Sequence, residues 1–319
     1  MKAFTRTDGC DLKVVEGFRK WVLSLRTPVT PKPDWDQVQY AAAAQTKQRR
    51  ARRLLESFRR WFGPLAGARL LDVGCGDGTH CLVLGQELVR LAVGIDLTLP
   101  LLAADAKGEQ TRRLAARVGE PSRLSQLSSV GLEAFRGASK ASGAGDLPVS
   151  FVLMNATRMG FGDGSFDVLM SRSATEHIRP IEAALSQMAR VVRSGGLIYL
   201  GIDPFYWLRG CHKRGVVDMP WAHARLTPEE FRRFVSQSEG EEVALKRCQR
   251  LESLNRFTVR HWRNLIDSMA CEVLAWNERP SVTGQQVLAQ HPEVLKTLLP
   301  GVTKQDLLCE RIKVWLRRT

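Results

Sequence analysis

The ten residues Leu70 to Thr79, Leu-Leu-Asp-Val-Gly-Cys-Gly-Asp-Gly-Thr, constrain this chain more than any other stretch. An apolar run ends in Asp72 and passes straight into Gly74, Gly76 and Gly78. That is the pattern of a buried parallel strand turning sharply into a helix, its backbone left bare where a ligand presses against it. Such a turn predicts a nucleotide-like cofactor, and the spacing narrows which one. The dinucleotide fingerprint Gly-x-Gly-x-x-Gly needs its third glycine at position 79, which is Thr79; here the glycine comes one residue earlier.

A second short apolar strand, Leu91 to Ile95, ends in Asp96 and Leu97, roughly 20 residues beyond the first glycine, as one βαβ step requires. An acid there grips ribose hydroxyls in doubly wound sheets, or caps the next helix. A third stretch, Val152-Leu-Met-Asn155-Ala156, leads through Asp163-Gly-Ser-Phe into a fourth strand that ends near Ser171 and is followed by Glu176 and His177. A fourth, Met188 to Leu200, carries Gly195-Gly196 between a helix and a strand.

In this order and spacing the four segments resemble the class I S-adenosylmethionine-dependent methyltransferases, and within them the type 11-like, small-molecule tailoring enzymes. The resemblance runs from Leu70 to Leu200. It implies that S-adenosylmethionine is the cofactor, held by Asp72, Gly74, Cys75, Gly76, Gly78, Asp96, Leu97, Asn155, Ala156 and Ser171. Asn155 stands where the family usually has Asp, so its amide carbonyl would accept from the adenine amino group. Glu176 and His177 correspond to a pair that lies beside the transferable methyl group. Ser194 stands where proline is common.

The implied fold is α/β, a Rossmann-like seven-stranded methyltransferase sheet with its last strand antiparallel. Strands are expected near 69–73, 91–95, 149–154, 166–171, 196–202, 272–276 and 311–316. Residues 1–66 read as an N-terminal helical lid, with helices over Leu12 to Leu25 and Gln37 to Phe62 separated by a Pro-rich loop, Arg26 to Pro33. Residues 67–319 form the methyltransferase domain, with insertions after strands 2, 5 and 6. The first contains the Gly/Ser-rich stretch Gly137 to Asp146, read as a mobile surface loop; the second, 203–254, would bind substrate; the third, 277–309, is peripheral. A helix over Asn255 to Met269 is expected between the last two.

Ligands in open α/β sheets lie beyond the carboxyl ends of the strands, so the loop after strand five faces the acceptor. Between Asp203 and His223 it gathers two histidines, carboxylates, several cations and aromatics. His223 or His212 is a candidate general base, with Asp218 orienting its imidazole, and Glu176 and His177 are the competing pair. The stretch Pro220-Trp221-Ala-His223 resembles a Pro-Trp-x-His segment of bacterial methyltransferases of this type. Tyr206, Arg209 and Trp221, with Trp35 and Tyr40 from the lid, are candidate substrate contacts; Arg209, Lys213 and Arg214 suit a carboxylate or phosphate. The alternative for the spaced pair His212 and His223 is a metal, but one carboxylate without sheet-fixed geometry makes a poor ligand set, and no metal is expected.

Bulk properties add bounds. With 319 residues, 44% hydrophobic and 25% charged, this is an ordinary globular composition. No signal-peptide core or bilayer-length apolar run is present, and seven cysteines at scattered positions with no Cys-x-x-Cys pair fit reduced thiols; a cytoplasmic enzyme is the default. The formal charge of +14 gathers in part on Lys47 to Phe62, where apolar residues recur at helical spacing and arginines crowd the other face. The expected activity is methyl transfer to a small molecule, O-directed, with a sugar, anionic metabolite or natural product as acceptor. Two alternatives stand: an RNA methyltransferase, motivated by the charge, and a non-catalytic S-adenosylmethionine-binding partner protein. The segment after strand four lacks a Pro-Pro-aromatic motif, so a nucleic-acid substrate is not favoured. The oligomeric state is left open.

Overall fold

The computed structural model describes residues 3–25, 34–85, 89–100, 104–118 and 149–319. The Pro-rich loop before position 34 and the Gly/Ser-rich loop around 137–146 lie outside these residues. An antiparallel hairpin of β1 (Ala3–Thr5) and β2 (Asp11–Lys13) opens the chain, followed by α1 (Phe18–Ser24) and the long α2 (Gln37–Phe62). The expected helix from Leu12 is therefore a correction: Leu12 and Phe4 alternate inward on two short strands, and Gly17, at φ 77°, starts the helix five residues later than its apolar pattern implied. The bounds of α2 match its sequence signals. Asp36 accepts from the Gln39 amide while Gln39 Oε1 accepts from the Asp36 amide, and Gly63 at φ 94° ends the helix.

The sheet comprises β3 (Arg69–Val73), β4 (Leu91–Asp96), β5 (Val149–Leu153), β6 (Phe166–Arg172), β7 (Val192–Ile202), β8 (Cys271–Pro280) and β9 (Cys309–Arg318). Their spatial order is β5-β4-β3-β6-β7-β9-β8, with β9 antiparallel to both neighbours and the rest parallel. This is the seven-stranded methyltransferase arrangement. Strand order reverses between β3 and β6, next to the glycine turn that ends β3, and that is where such sheets open a ligand crevice.

Two apolar layers cover the sheet. On one face, α5 (Ile181–Val191) and, after the insertion, a helix at Val259–Asp267 pack Met188 and Trp262, both 0% exposed, against β3, β6, β7 and β9. On the other, Phe58 of α2 packs edge-on against Trp315 of β9 and Tyr199 of β7, alongside α3 (Thr79–Gly85). Helix α4 (Ala106–Val118) lies beside α2. So the carboxyl-terminal part of α2, from Leu54, packs on the sheet, while Tyr40 to Ala51 pack on α3 and α4.

A third apolar cluster joins the beginning of the chain to the 203–254 insertion. Phe4 meets Phe234 edge-on at 5.4 Å, the Arg19 amide donates to Asp218 at 2.7 Å, and Thr7 donates twice to Glu230. The insertion itself holds two single helical turns, His212–Gly215 and Ala222–Arg225, then α6 (Pro228–Glu239) and α7 (Glu241–Glu252). With the Val259–Asp267 helix as α8, the peripheral segment between β8 and β9 contributes α9 (Val282–Gln290), a short turn at Pro292–Lys296 and α10 (Lys304–Leu308) to the same cluster, through Val287, Val294 and Leu307.

At the amino-terminal edge of the sheet, Asp167 fixes the β3–β6 register. It accepts from the Arg69 amide at 2.8 Å and from the Arg69 and Arg193 guanidiniums at 3.0 and 2.7 Å. Burial opposes its charge, but these donors outweigh burial and hold the carboxyl at about 2. A folded-state value below the ordinary 3.8 stabilises the fold above that pH, and the contribution is lost as pH falls toward 2. Thermal melts of Asp167→Asn across this window should lack the wild-type acid slope; an identical slope would remove the register role.

Candidate functional site

Strand β3 carries Asp72 into the interior, 3% exposed, where burial and then the charge of Asp96 push its carboxyl up to about 8. The turn that follows places Gly74, Gly76 and Gly78 at φ 74°, 56° and 72°, in the left-handed region. A Cβ on Gly74 would lie 2.3 Å from the Ala174 Cβ, and one on Gly78 2.6 Å from the Phe151 ring. Those two glycines admit protein. Gly76 differs, because a Cβ there would meet nothing within 4 Å. Its bare backbone opens on a space that a bound molecule can fill.

The groups around that space form a consistent cradle. Asp96 accepts from the Gly76 amide at 2.9 Å and from the Thr98 amide at 3.1 Å, so it shapes the loop while each oxygen keeps a second lone pair. Leu97 and Leu153, the latter in register with Asp96, are 70% and 65% exposed, an apolar ledge at the ends of β4 and β5. Lys47 of α2 pairs with Asp77 of the glycine turn. Asn155 corrects one expectation. Its Oδ1 accepts from both the amide and hydroxyl of Thr157 at 2.9 Å, which leaves its amide nitrogen, a donor, for a ligand. Ala156, Cys75 and Ser171 are buried and act on neighbouring backbone or core: Ser171 donates to the Val73 carbonyl at 2.9 Å, and Cys75 packs under Gly94.

On the opposite wall, a helical turn at Thr175–His177 follows β6. Asn255 fixes it, donating its side-chain amide to the Thr175 and Ile178 carbonyls at 2.9 Å and its backbone amide to the Glu176 carbonyl. Glu176 is 2% exposed, and neither carboxylate oxygen has a hydrogen-bond partner among the described residues. Burial, and then the nearby charge of Asp203, drive its pKa well above the carboxylate range. His177 stacks on His212 with centroids 5.0 Å apart, and burial followed by its neighbour's charge lowers it to about 4. Ligand atoms of Glu176, His177 and His212 all lie within 4.8 Å of one another. Ser173 and His212 adopt φ 53° and 55°, an unfavourable backbone for side-chain-bearing residues, at the two loops that meet here.

Other candidates go elsewhere. His223 is 5% exposed inside the insertion core, donates Nε2 to the Trp207 carbonyl at 3.2 Å, and is lowered to about 4 by burial. It does not belong to the Glu176 group. Asp218 orients no histidine; it pins the start of α1. Trp221, 1% exposed, is a core residue of the same cluster, and Tyr206 packs edge-on against Phe205 at its border. Tyr40 and Trp35 pack on each other at 5.6 Å, Tyr40 being buried with Val83 and Leu114. Hence the Pro-Trp-x-His stretch leaves His223 in the insertion core, apart from the cluster of Glu176, His177 and His212. Arg209 lies over the Trp207 ring at 5.0 Å and does line a cleft, whereas Lys213 and Arg214 are exposed outside it.

That cleft, about 570 Å³, runs from Asp203 and His212 between α2 and the β7-β9-β8 edge. Its walls include residues that the sequence did not single out: Arg172, Arg311 and Lys313 from the sheet, and Arg50 and Arg53 from α2. Arg311 holds Asp203 and donates to Ser173 Oγ at 3.2 Å, and Arg172 donates to His80 Nε2 at 2.6 Å. Two signals in the sequence pointed here. Arg311, Lys313 and Trp315 alternate onto one strand face, and Arg50 and Arg53 lie one helical turn apart. A larger hollow of about 720 Å³ lies near Arg190 and Thr319, at the amino-terminal ends of the strands, away from all these groups.

Comparison with known proteins adds the following. A family model described as a methyltransferase domain matches residues 106–200. A ubiquinone biosynthesis O-methyltransferase of Rhizobium rhizogenes is 28% identical over 137 residues, 43% of this chain and 42% of the relative. An ajmaline N-methyltransferase of Rauvolfia serpentina is 29% identical over 131 residues, 41% of this chain and 34% of that one. The chain thus spans about two fifths of the length of the curated relatives it matches. Among solved structures, an S-adenosylmethionine-dependent methyltransferase from Mesorhizobium loti aligns with a TM-score of 0.43 at 13% identity, over 82% of this chain and 96% of that one.

Two of the glycines make different predictions. Gly76→Ala should keep the fold, at ~1–2 kcal/mol for a side chain in this backbone region, yet bind S-adenosylhomocysteine about tenfold more weakly, because its Cβ intrudes on the open space. Gly74→Ala should lower the thermal midpoint, since its Cβ overlaps Ala174. Calorimetric titration and melting of both variants check this; equal cofactor affinity in Gly76→Ala and wild type would place the ligand elsewhere.

Proposed function

We propose that this chain, which belongs to the class I S-adenosylmethionine-dependent methyltransferases, moves the cofactor's methyl group to a small-molecule acceptor bound where β6 and β7 end. S-adenosylmethionine, when bound, supplies an electrophilic methyl group on a sulfonium. On this reading Gly76 and Asp96 hold its polar parts, Leu97 and Leu153 cover the flat ring, and the Asn155 amide nitrogen donates to a ring acceptor. The observation that carries the reading is Glu176: a buried carboxyl group without a partner, on a turn seated against Gly74 through Ala174.

A buried, unpaired carboxyl group costs about 1–3 kcal/mol that a purely structural position would not keep. Its raised pKa makes its ionised form a stronger base than an ordinary carboxylate, suited to taking the proton from a hydroxyl or amine acceptor as the new bond to carbon forms. His177, whose pKa burial lowers, and His212 stand beside it and position the acceptor. O-methylation is the reading favoured, since a hydroxyl must lose its proton. The relatives named above, an O- and an N-methyltransferase of small molecules, support the acceptor class. No helix among the described residues is long and apolar enough to cross a membrane, and seven free thiols accord with action in the cytoplasm.

Two measurements test this. Transfer of labelled methyl groups from the cofactor into metabolite extracts is expected; label found only in RNA would sink the small-molecule reading, and no release of S-adenosylhomocysteine with any acceptor would leave a binding protein. Glu176→Gln should lower kcat by ~10²-fold or more with cofactor affinity unchanged. The same variant should be the more stable protein. A folded-state pKa raised above the ordinary 4.5 means that wild type loses stability as pH rises from that value toward the folded pKa, so the variant's advantage should widen over that range. Dialysis against EDTA should leave turnover intact; a loss restored by one divalent ion would reassign the three neighbouring ligand atoms to a metal.

A further inference from the structure

The cleft beside the Glu176 group holds an excess of positive charge that the chain does not neutralise. Arg50, Arg53, Arg172, Arg279, Arg311 and Lys313 line it, from four different elements. Its two acids are already engaged, Asp203 by Arg311 and Glu310 by Arg279 at 2.6 Å. Arg50, Arg53, Arg172 and Lys313 have no acidic partner among the described residues, and the ring that Arg172 meets, His80, is kept neutral by burial and by Arg172 itself. The cations also disfavour one another. Partial burial and then Arg311, Arg279, Arg172 and Arg53 lower the pKa of Lys313, and burial followed by Arg311 lowers that of Arg50. Repulsion of this kind, gathered around one cleft, is relieved by an anion.

Size and wall chemistry narrow the anion. About 570 Å³ is the volume of a small-molecule pocket, and Trp207, Trp315 and Tyr199 give it aromatic walls. A carboxylate offers two oxygens, which a single guanidinium fork can satisfy; cations converging from a helix and three strands suit a group with more oxygens and more charge. A phosphoryl group has three free oxygens and close to two charges. We propose that the cleft between α2 and the β7-β9-β8 edge binds the phosphoryl or diphosphoryl group of the methyl acceptor. This rests on the methyl-transfer reading for the word acceptor, but not for the anion. His212 belongs both to the cleft lining and to the Glu176 group, so a molecule anchored at Arg50, Arg53 and Lys313 with its nucleophile at His212 would lie next to Glu176.

The test uses inorganic diphosphate, titrated by calorimetry into the full chain without cofactor. Binding is expected, tighter than that of acetate, and weakened about tenfold or more in Arg50→Gln/Arg53→Gln, both exposed helix positions. Arg60→Gln, exposed on the same helix but outside the cleft, should bind as wild type does. Absence of diphosphate binding at millimolar concentration, or binding indifferent to the double variant, overturns the proposal. So does a single-stranded RNA oligonucleotide that binds more tightly than diphosphate and loses affinity in the same double variant, since the cations would then serve a nucleic-acid backbone. The outcomes separate the two readings. Diphosphate bound without any methyl transfer leaves the cleft assigned and removes the enzyme reading. Methyl transfer to an uncharged acceptor at equal kcat/KM in wild type and double variant removes the cleft assignment and leaves the enzyme.

Discussion

The missing side chain at Gly74 is the constraint from which the site is built. Because position 74 carries no Cβ, Ala174 sits where that atom would be, and the turn that bears Glu176 and His177 closes onto the glycine loop. The same economy operates at Gly78 and Gly94, both pressed against the Phe151 ring. The glycine loop after β3 and the turn after β6 are therefore one packed unit. Methyl transfer needs its two reactants in line and in contact, and much of the acceleration available to it comes from holding them there. On the proposed function that distance is set by backbone packing, which is stiffer than a pair of long side chains meeting across a gap.

A second dependence links the two ends of the chain. The hairpin, α1 and the post-β7 insertion share one apolar cluster, with Asp218 gripping the start of α1 and Glu230 gripping Thr7. This body carries His212 and Trp207 to the sheet edge. Its polar residues are consumed in holding it together, which explains why the insertion is so rich in chemistry and yet contributes few groups to the site. His223, Asp218 and Trp221 look catalytic in a list of residues, but each is spent on the internal structure of the insertion.

What the sequence discloses follows from what is local. The glycine turn and the ends of α2 rest on neighbours a few residues apart, through backbone conformation and capping, and these were legible; the sheet, whose strands pair over long separations, came with the family resemblance. The acceptor side was not, because its meaning depends on distant partners. Nothing near Asp218 announces that it faces the Arg19 amide, 199 positions away, and nothing near Asn155 says that its carbonyl turns back to Thr157. The helix expected from Leu12 failed for a related reason: an apolar pattern of two or three residues is shared by a strand and a helix, and pairing with β1 decided between them.

The charge of +14 is the clearest case of a bulk quantity whose meaning lies in its distribution. One set of arginines is structural. Arg69, Arg193 and Arg190 staple the amino-terminal edge of the sheet through Asp167 and Asp163, and Arg247 reaches Glu239 and two carbonyls within the insertion. These cations have acids, and their removal would cost register or packing. At the carboxyl edge the acids run out. Asp203 and Glu310 answer only two of the cations in the cleft, while Glu176, close by, is kept from charge by its own burial. A fold selected only for stability would place neutralising carboxylates among Arg50, Arg53, Arg172 and Lys313, where any exposed helix or strand position would accept one at little cost. Leaving them unneutralised beside a buried carboxyl group creates a field that draws a negatively charged molecule in and turns its uncharged end toward Glu176. Affinity and orientation then arise from one arrangement of charge.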